Sequence, residues 1–180
     1  SWLPLYHDMG LVGCCLTPVM SQIPVDYIAT TGFARRPHVW LKLITEMGGT
    51  ISFSPTFGYE LCTRRAANGH RAGYDLSHWR VAGVGGEMVR CKALNEFAET
   101  FGSCGFDKRA FMPSYGMAEA TLAVTFPRLG EGVKEDVVAR GEALEKKKIA
   151  QPPLPGDDAA RTRSFVVCGR PMPGYAIEIR

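Results

Sequence analysis

PHVWLKLITEMGGTISFSPTFGYELCTRRAA, residues 37–67, decides the fold class. Trp40, Leu43, Ile44 and Met47 recur at i, i+3, i+4 and i+7, the period of a helix with one apolar face. Pro37 suits its first turn, and Gly48-Gly49 supplies its stop. Thr50-Ile-Ser-Phe53 then reads as a short strand ending at Ser54-Pro55, and residues 57–67 read as the next helix. Helix, strand and helix joined by such short connections predict parallel strands with helices packed on the sheet.

The pattern continues outward from there. Toward the carboxyl end, residues 79–84 form the next expected strand, and Leu94, Phe97, Ala98 and Phe101 give a helical stripe before Gly102. A further strand, residues 109–112, stops at Pro113. Toward the amino end, residues 10–20 are apolar enough for a buried helix, and residues 25–30 read as a strand after Ile23-Pro24. The whole predicts an α/β fold, a mostly parallel sheet with flanking helices and right-handed crossovers. In such sheets ligands sit beyond the carboxyl ends of the strands. That rule selects residues 54–57, 85–87 and 114–119, which are expected to meet at one crevice.

After Phe126, charge, Gly and Pro dominate, so residues 130–163 read as an insertion or connecting region. Pro152-Pro-Leu-Pro-Gly156 is excluded from regular helix and inner strand by its missing amide donors. Residues 164–168 resume as a strand, and residues 176–180 alternate like another. The chain begins at Ser1 and runs at once into a dense motif, so it is expected to be an internal piece of a longer protein.

Composition narrows the function classes. With 180 residues and 46% apolar content, the chain can bury a substantial core. No apolar run reaches the roughly 20 residues of a membrane helix. A net charge of +3 with scattered basic residues argues against nucleic acid as a partner. The run Glu145-Lys-Lys-Lys148 reads as a solvated face. Six cysteines without a CxxC pair predict reduced thiols and a cytoplasmic setting. Cys62, His70 and His78 match no metal-site spacing.

The chemistry concentrates in Pro113-Ser-Tyr-Gly-Met-Ala-Glu119, placed at a strand-to-helix junction. Tyr115 offers an aromatic face, Gly116 permits close backbone approach, and Glu119 supplies a hard oxygen ligand; the set suits a nucleotide with Mg2+. Spacing alone equally allows Tyr115 in the core and Glu119 as a helix-start residue favoured by the dipole. His7 stands in Ser-Trp-Leu-Pro-Leu-Tyr-His-Asp-Met-Gly, residues 1–10, and Asp8 beside it would also serve a purely structural histidine. Val84-Gly-Gly-Glu-Met-Val-Arg90 begins like a dinucleotide loop, but Met88 fills the third glycine position and excludes that reading.

PSYGMAEAT resembles the Tyr-Gly-x-x-Glu motif of the acyl-adenylate-forming enzymes. The segment around His7, the Gly85-Gly86-Glu87 segment and Cys168-Gly-Arg-Pro-Met-Pro-Gly174 are similar, in the same order, to further motifs of that superfamily. The resemblance implies that Tyr115 stacks on adenine and that Glu119 holds Mg2+. It also implies that the Gly116-Met117 backbone lies near the acyl carbonyl and phosphate. His7 would gate the reacting carboxylate, Gly85, Gly86 and Glu87 would lie against the adenine, and the last segment would be structural. Ala118 departs from the commonest pattern, which has a threonine bonding the phosphate.

Within the superfamily, LPLYHDMG of residues 3–10, YGMAE of residues 115–119 and SPTFGYELCTRR of residues 54–65 resemble fatty-acyl-AMP ligases. That branch implies an inserted segment disfavouring coenzyme A, placed here at about residues 145–165. It also implies ATP as cosubstrate, AMP carried on the acyl product, and a fatty acid in an apolar tunnel, with Phe57 and Tyr59 as candidate wall residues. The acceptor would be an acyl carrier protein in polyketide or lipopeptide synthesis. The phosphate loop ending in Lys, the ribose-binding Asp and the carboxy-terminal domain with its catalytic Lys have no counterpart in these residues, so the isolated chain is expected to be inactive.

Overall fold

The computed structural model describes residues 1–66, 73–158 and 160–178. Its centre is the expected parallel sheet: β1 (Ile51–Ser54), β2 (Val81–Val84) and β3 (Phe111–Pro113) lie in that order. Phe53 pairs with Gly83 and Gly83 with Met112. Helix α4 (His38–Met47) feeds β1, α5 (Thr56–Ala66) follows it, and α6 (Cys91–Phe101) links β2 to β3. Gly48 ends α4 in the left-handed region at φ +60°, and the next amide, Gly49 N–H, reaches back to the Ile44 carbonyl. This closes the helix as a glycine cap does.

One aromatic core fixes these helices against the sheet. Trp40, Tyr59, Trp79, Phe97, Phe101 and Phe111 are all buried within it. Each polar tip finds a partner: Trp40 Nε1 donates to Ser52 Oγ (2.9 Å), Trp79 Nε1 to the Val81 carbonyl (2.8 Å) and Tyr59 OH to the Gly83 carbonyl (2.9 Å). Aromatic residues contribute large buried areas, and the satisfied polar atoms make their placement specific. Trp2 joins the core by stacking on Phe33 at 3.8 Å, which anchors the amino-terminal segment.

Several local expectations need correction. Residues 25–29 form no strand: Ile28 N–H donates to the Ser1 carbonyl, and the segment leads into α3 (Thr30–Arg35), whose first residue donates its hydroxyl to the Trp2 carbonyl. Tertiary bonds replace a ladder there. Residues 10–20 are helical, as α1 (Asp8–Leu11), a π-helical turn (Val12–Leu16) and α2 (Thr17–Ser21), but only partly buried: Gly10 and Cys14 are covered, whereas Val19 and Met20 are 69% and 84% exposed. The strand expected at residues 109–112 starts late, because Lys108–Ala110 form a 3-10 turn capped by Asp107.

Past β3 the chain abandons parallel pairing. β4 (Tyr115–Gly116), β5 (Ala123–Phe126) and β8 (Arg170–Pro171) make a small antiparallel sheet. The segment 114–119 is therefore a strand followed by a 3-10 turn (Ala118–Ala120), not the start of an α-helix. β6 (Glu135–Ala139) pairs antiparallel with β7 (Thr162–Val166), with the short α7 (Glu142–Glu145) between them. The strand expected at residues 164–168 thus sits two residues earlier. Pro152-Pro-Leu-Pro-Gly156 is neither helix nor strand, as its missing donors require. Residues 176–178 carry no strand, and 179–180 lie outside the described residues.

Candidate active site

A cavity of about 530 Å³ opens at the carboxyl ends of β1, β2 and β3. Gly85 and Gly86 enter it directly after β2, Ser114 directly after β3, and Phe53 from near the end of β1. The ladder is extended one step to hold them: Ser114 N–H donates to the Val84 carbonyl at 2.8 Å, and its hydroxyl reaches the same oxygen at 3.2 Å. Tyr115, Gly116 and Ala118 line the next side. Tyr115 pairs with Thr125 across β5 yet remains 48% exposed, so its ring is available to a ligand.

Gly116 is required by packing. A Cβ at this position would collide with the carbonyl oxygen of Leu122. That carbonyl accepts the Met117 N–H at 2.8 Å, which closes the turn carrying Glu119. Glu119 is exposed and has no ion-pair partner among the described residues.

His7 reaches the cavity from the opposite side as the N-cap of α1, where Nδ1 accepts the Met9 N–H at 3.1 Å. Asp8 Oδ1 lies 2.6 Å from the same nitrogen. With a proton on Nδ1 the ring donates to Asp8, whose Oδ1 also accepts the Met9 N–H at 2.8 Å; with Nδ1 bare the ring accepts from Met9 but faces the Asp8 oxygen as a second acceptor. Asp8 therefore holds the imidazole only when Nδ1 carries a proton.

The structure brings His7, Gly85, Gly86, Tyr115 and Gly116 onto one cavity. It does not bring all the candidates there. Glu87 turns its carboxylate to the Phe57 N–H at 2.9 Å and to Arg90 at 3.7 Å. Met117 and Glu119 stand on the turn beside the cavity and outside its lining. Phe57 packs edge-on against Trp2 at 5.7 Å, and Tyr59 is wholly buried under Trp40 and Trp79. Neither lines the cavity: Tyr59 lies on the α5 face that Thr56 and Cys62 share in the core, and Phe57 is exposed on another face of the helix.

The apolar walls are instead Met9, Phe53, Leu122 and Phe126, none of which sequence reasoning selected. Phe53 was within reach, since it stands next to the last residue of its strand. Leu122 and Phe126 depend on the antiparallel turn, which left no sequence signal. Among the described residues no three His, Cys, Asp or Glu side chains gather as a metal cage. Cys62 is buried with its thiol on the Pro37 carbonyl, and His70 lies outside the described residues. A lone exposed carboxylate such as Glu119 still fits Mg2+ that arrives on nucleotide phosphates, because that ion usually takes one or two carboxylates and keeps waters.

Around a strand-end cavity with glycine-lined edges, an exposed aromatic ring and a histidine, the chain belongs to the AMP-binding enzyme family, whose model matches residues 1–180. It is 47% identical over all 180 residues to a putative acyl-CoA synthetase of Caulobacter vibrioides, spanning 31% of that protein. It is 39% identical over 179 residues, 99% of the chain, to a medium-chain-fatty-acid–[acyl-carrier-protein] ligase of Moorena producens, spanning 30% of it. A structure from work on fatty acyl-adenylate ligases of E. coli and L. pneumophila superposes over 100% of this chain and 32% of its own, with a TM-score of 0.95 and 49% identity. The L. pneumophila fatty acyl-adenylate ligase in complex with acyl adenylate and pyrophosphate covers 95% of this chain and 29% of its own, with a TM-score of 0.88 and 38% identity. The chain thus spans about a third of the length of these relatives. Among the described residues, no helix is long and apolar enough to cross a membrane.

Proposed function

We propose that this chain carries the nucleotide and acyl site of a fatty-acyl-AMP ligase. The carrying observation is the convergence of His7, Gly85-Gly86 and Tyr115-Gly116 on one cavity whose remaining walls are mainly apolar. The reaction joins a fatty carboxylate to ATP. A carboxylate oxygen forms a bond to the α-phosphorus, the bond from that phosphorus to the bridging oxygen breaks, and pyrophosphate leaves with its electron pair. A mixed acyl-AMP anhydride remains.

The chain's residues bind and position rather than attack. Tyr115 stacks on the adenine, and the Gly85-Gly86 backbone lies along its edge. His7, held by Asp8 through Nδ1–H, orders the carboxylate end through Nε2. Met9, Phe53, Leu122 and Phe126 receive the first part of the acyl tail and exclude water. Glu119 would hold Mg2+, which supplies charge neutralisation on the phosphates.

The acyl group then passes to the phosphopantetheine thiol of an acyl carrier protein: the thiol sulfur bonds to the acyl carbon and AMP departs. The named activity of the Moorena producens relative supports this acceptor, and the product would feed polyketide or lipopeptide assembly. Residues 130–163 are the insertion or connecting region of the large AMP-binding domain, and the stretch 145–165 disfavours free coenzyme A. A second reading, an acyl-CoA synthetase, is favoured by the name of the Caulobacter vibrioides relative.

The test is an assay of the full-length protein with ATP, Mg2+ and acids of graded length, with coenzyme A or holo acyl carrier protein as acceptor. Acyl-AMP that persists with coenzyme A and is consumed by the carrier protein is the expected result. Efficient acyl-CoA formation establishes the second reading, and no adenylate from any acid overturns both.

A further inference from the structure

The helix that begins at Asp8 is interrupted by the π-helical residues Val12–Leu16. The interruption has a chemical cause. In α-helical register the Cys14 carbonyl would pair with the amide of residue 18, and that residue is Pro18, which has none. The Cys14 carbonyl accepts the Tyr27 hydroxyl at 2.6 Å instead, so a side chain from outside the helix pins the bulge. Bulges of this kind concentrate at functional positions.

This one stands between two cavities. Behind the 530 Å³ site lies a second space of about 290 Å³, and Gly13, Cys14, Thr17 and Phe53 line both. The second space is mainly apolar, with Ile23, Leu43, Ile44 and Ile51 among its walls, and neither His7, Gly85-Gly86 nor Tyr115-Gly116 lines it. On the shared wall Gly13 is the position with no side chain. A Cβ there would lie 3.0 Å from Cδ2 of Leu122, which lines the first cavity.

We propose that Gly13 on the Tyr27-pinned bulge sets acyl chain length, by letting the tail of a long substrate pass from the first cavity into the second. The proposal rests on the fatty-acid reading above. Each methylene removed from water gains about fourfold in affinity. Two or three methylenes in the second space therefore distinguish a long acid from a short one by about 15- to 60-fold. A side chain at Gly13 removes that gain for long tails only, because a short tail ends before the shared wall.

The experiment compares kcat/KM for acyl-AMP formation from octanoate and hexadecanoate in the full-length protein, wild type against Gly13→Val. The hexadecanoate-to-octanoate ratio is expected to fall by about tenfold or more. Gly13→Val combined with Leu122→Ala is expected to recover part of it, since the added methyls then have room. If the valine variant fails to fold, Gly13→Ala gives the same readout with a smaller shift. An unchanged ratio in a folded, active variant overturns the proposal and leaves the ligase reading standing. No acyl-AMP from any acid in the wild type overturns the ligase reading and this proposal with it.

Discussion

The carboxylate of Glu87 accepts the backbone N–H of Phe57 at 2.9 Å, so the loop leaving β2 caps the first turn of α5, thirty residues earlier in the chain. The same carboxylate lies 3.7 Å from Arg90, whose Nε contacts Glu60 on α5 at 3.1 Å. The loop that brings Gly85 and Gly86 to the cavity is thereby fastened to the helix that packs under the sheet. Glu87→Ala is expected to cost about 1 kcal/mol, as loss of a cap does. Urea denaturation measures it, and a midpoint equal to the wild type would refute the capping role.

Tyr115 is half-exposed, so its truncation removes ligand contact with little loss of core packing. Stacking of a base on an aromatic ring contributes about 1–3 kcal/mol. In the full-length protein Tyr115→Ala should raise the KM for ATP by roughly 5- to 150-fold, whereas Tyr115→Phe should stay near wild type. If both behave alike, the ring does not carry adenine.

Glu119→Ala should lower adenylation without lowering the thermal midpoint, because the side chain is exposed and has no ion-pair partner among the described residues. A loss of about 10²-fold or more in kcat is expected for a group that helps hold the ion neutralising the phosphates. Shifted Mg2+ dependence in Glu119→Asp, measured by pyrophosphate exchange, separates ion binding from general disturbance.

Thiol reactivity should follow burial. Burial pushes the Cys62 thiol well above the ordinary range, and desolvation with the neighbouring Glu135 pushes Cys91 up to about 11. At pH 8 a thiol of pKa near 11 is only about 0.1% thiolate. In native protein at that pH both cysteines should resist iodoacetamide, and both should be labelled in denaturant. Mass spectrometry of native Cys62 carrying the label would contradict its place in the core.

Acid should weaken the fold through named carboxylates. Hydrogen bonds from Arg109 hold Asp107 below its usual range, Ser77 does the same for Asp75, and Lys134 for Glu131. A depressed folded-state pKa means that the unfolded chain takes up protons first as pH falls. The contribution is complete above about pH 4–5 and is lost as pH drops through the folded values. Asp107→Asn should shallow the acid limb of a urea-midpoint profile between pH 6 and 3; an identical limb would rule out a contribution from this pair.

The parallel sheet was legible because its signals are local. Trp40 and Ile44 mark the buried face of α4, Gly48 its end, and Phe53 the strand that follows, all within one run of sequence. The site was legible to the same depth: His7, Gly85, Gly86, Tyr115 and Gly116 share a cavity because strand ends bring their loops together. The α5 wall was not. Phe57 and Tyr59 are chemically suited to an acyl tunnel, but the phase of α5 places Tyr59 in the core, and phase is set by what the helix packs against.

By itself the sequence determined the alternation of helix and strand, the caps that separate them, and the motifs that resemble those of the family, since each depends on residues close in the chain. Only the tertiary structure decided that residues 114–126 turn back as an antiparallel pair, that Glu87 caps α5, and that Gly13 stands between two cavities. Those features are contacts between segments far apart in sequence. No local periodicity encodes them, because their free energy arises only when the segments meet.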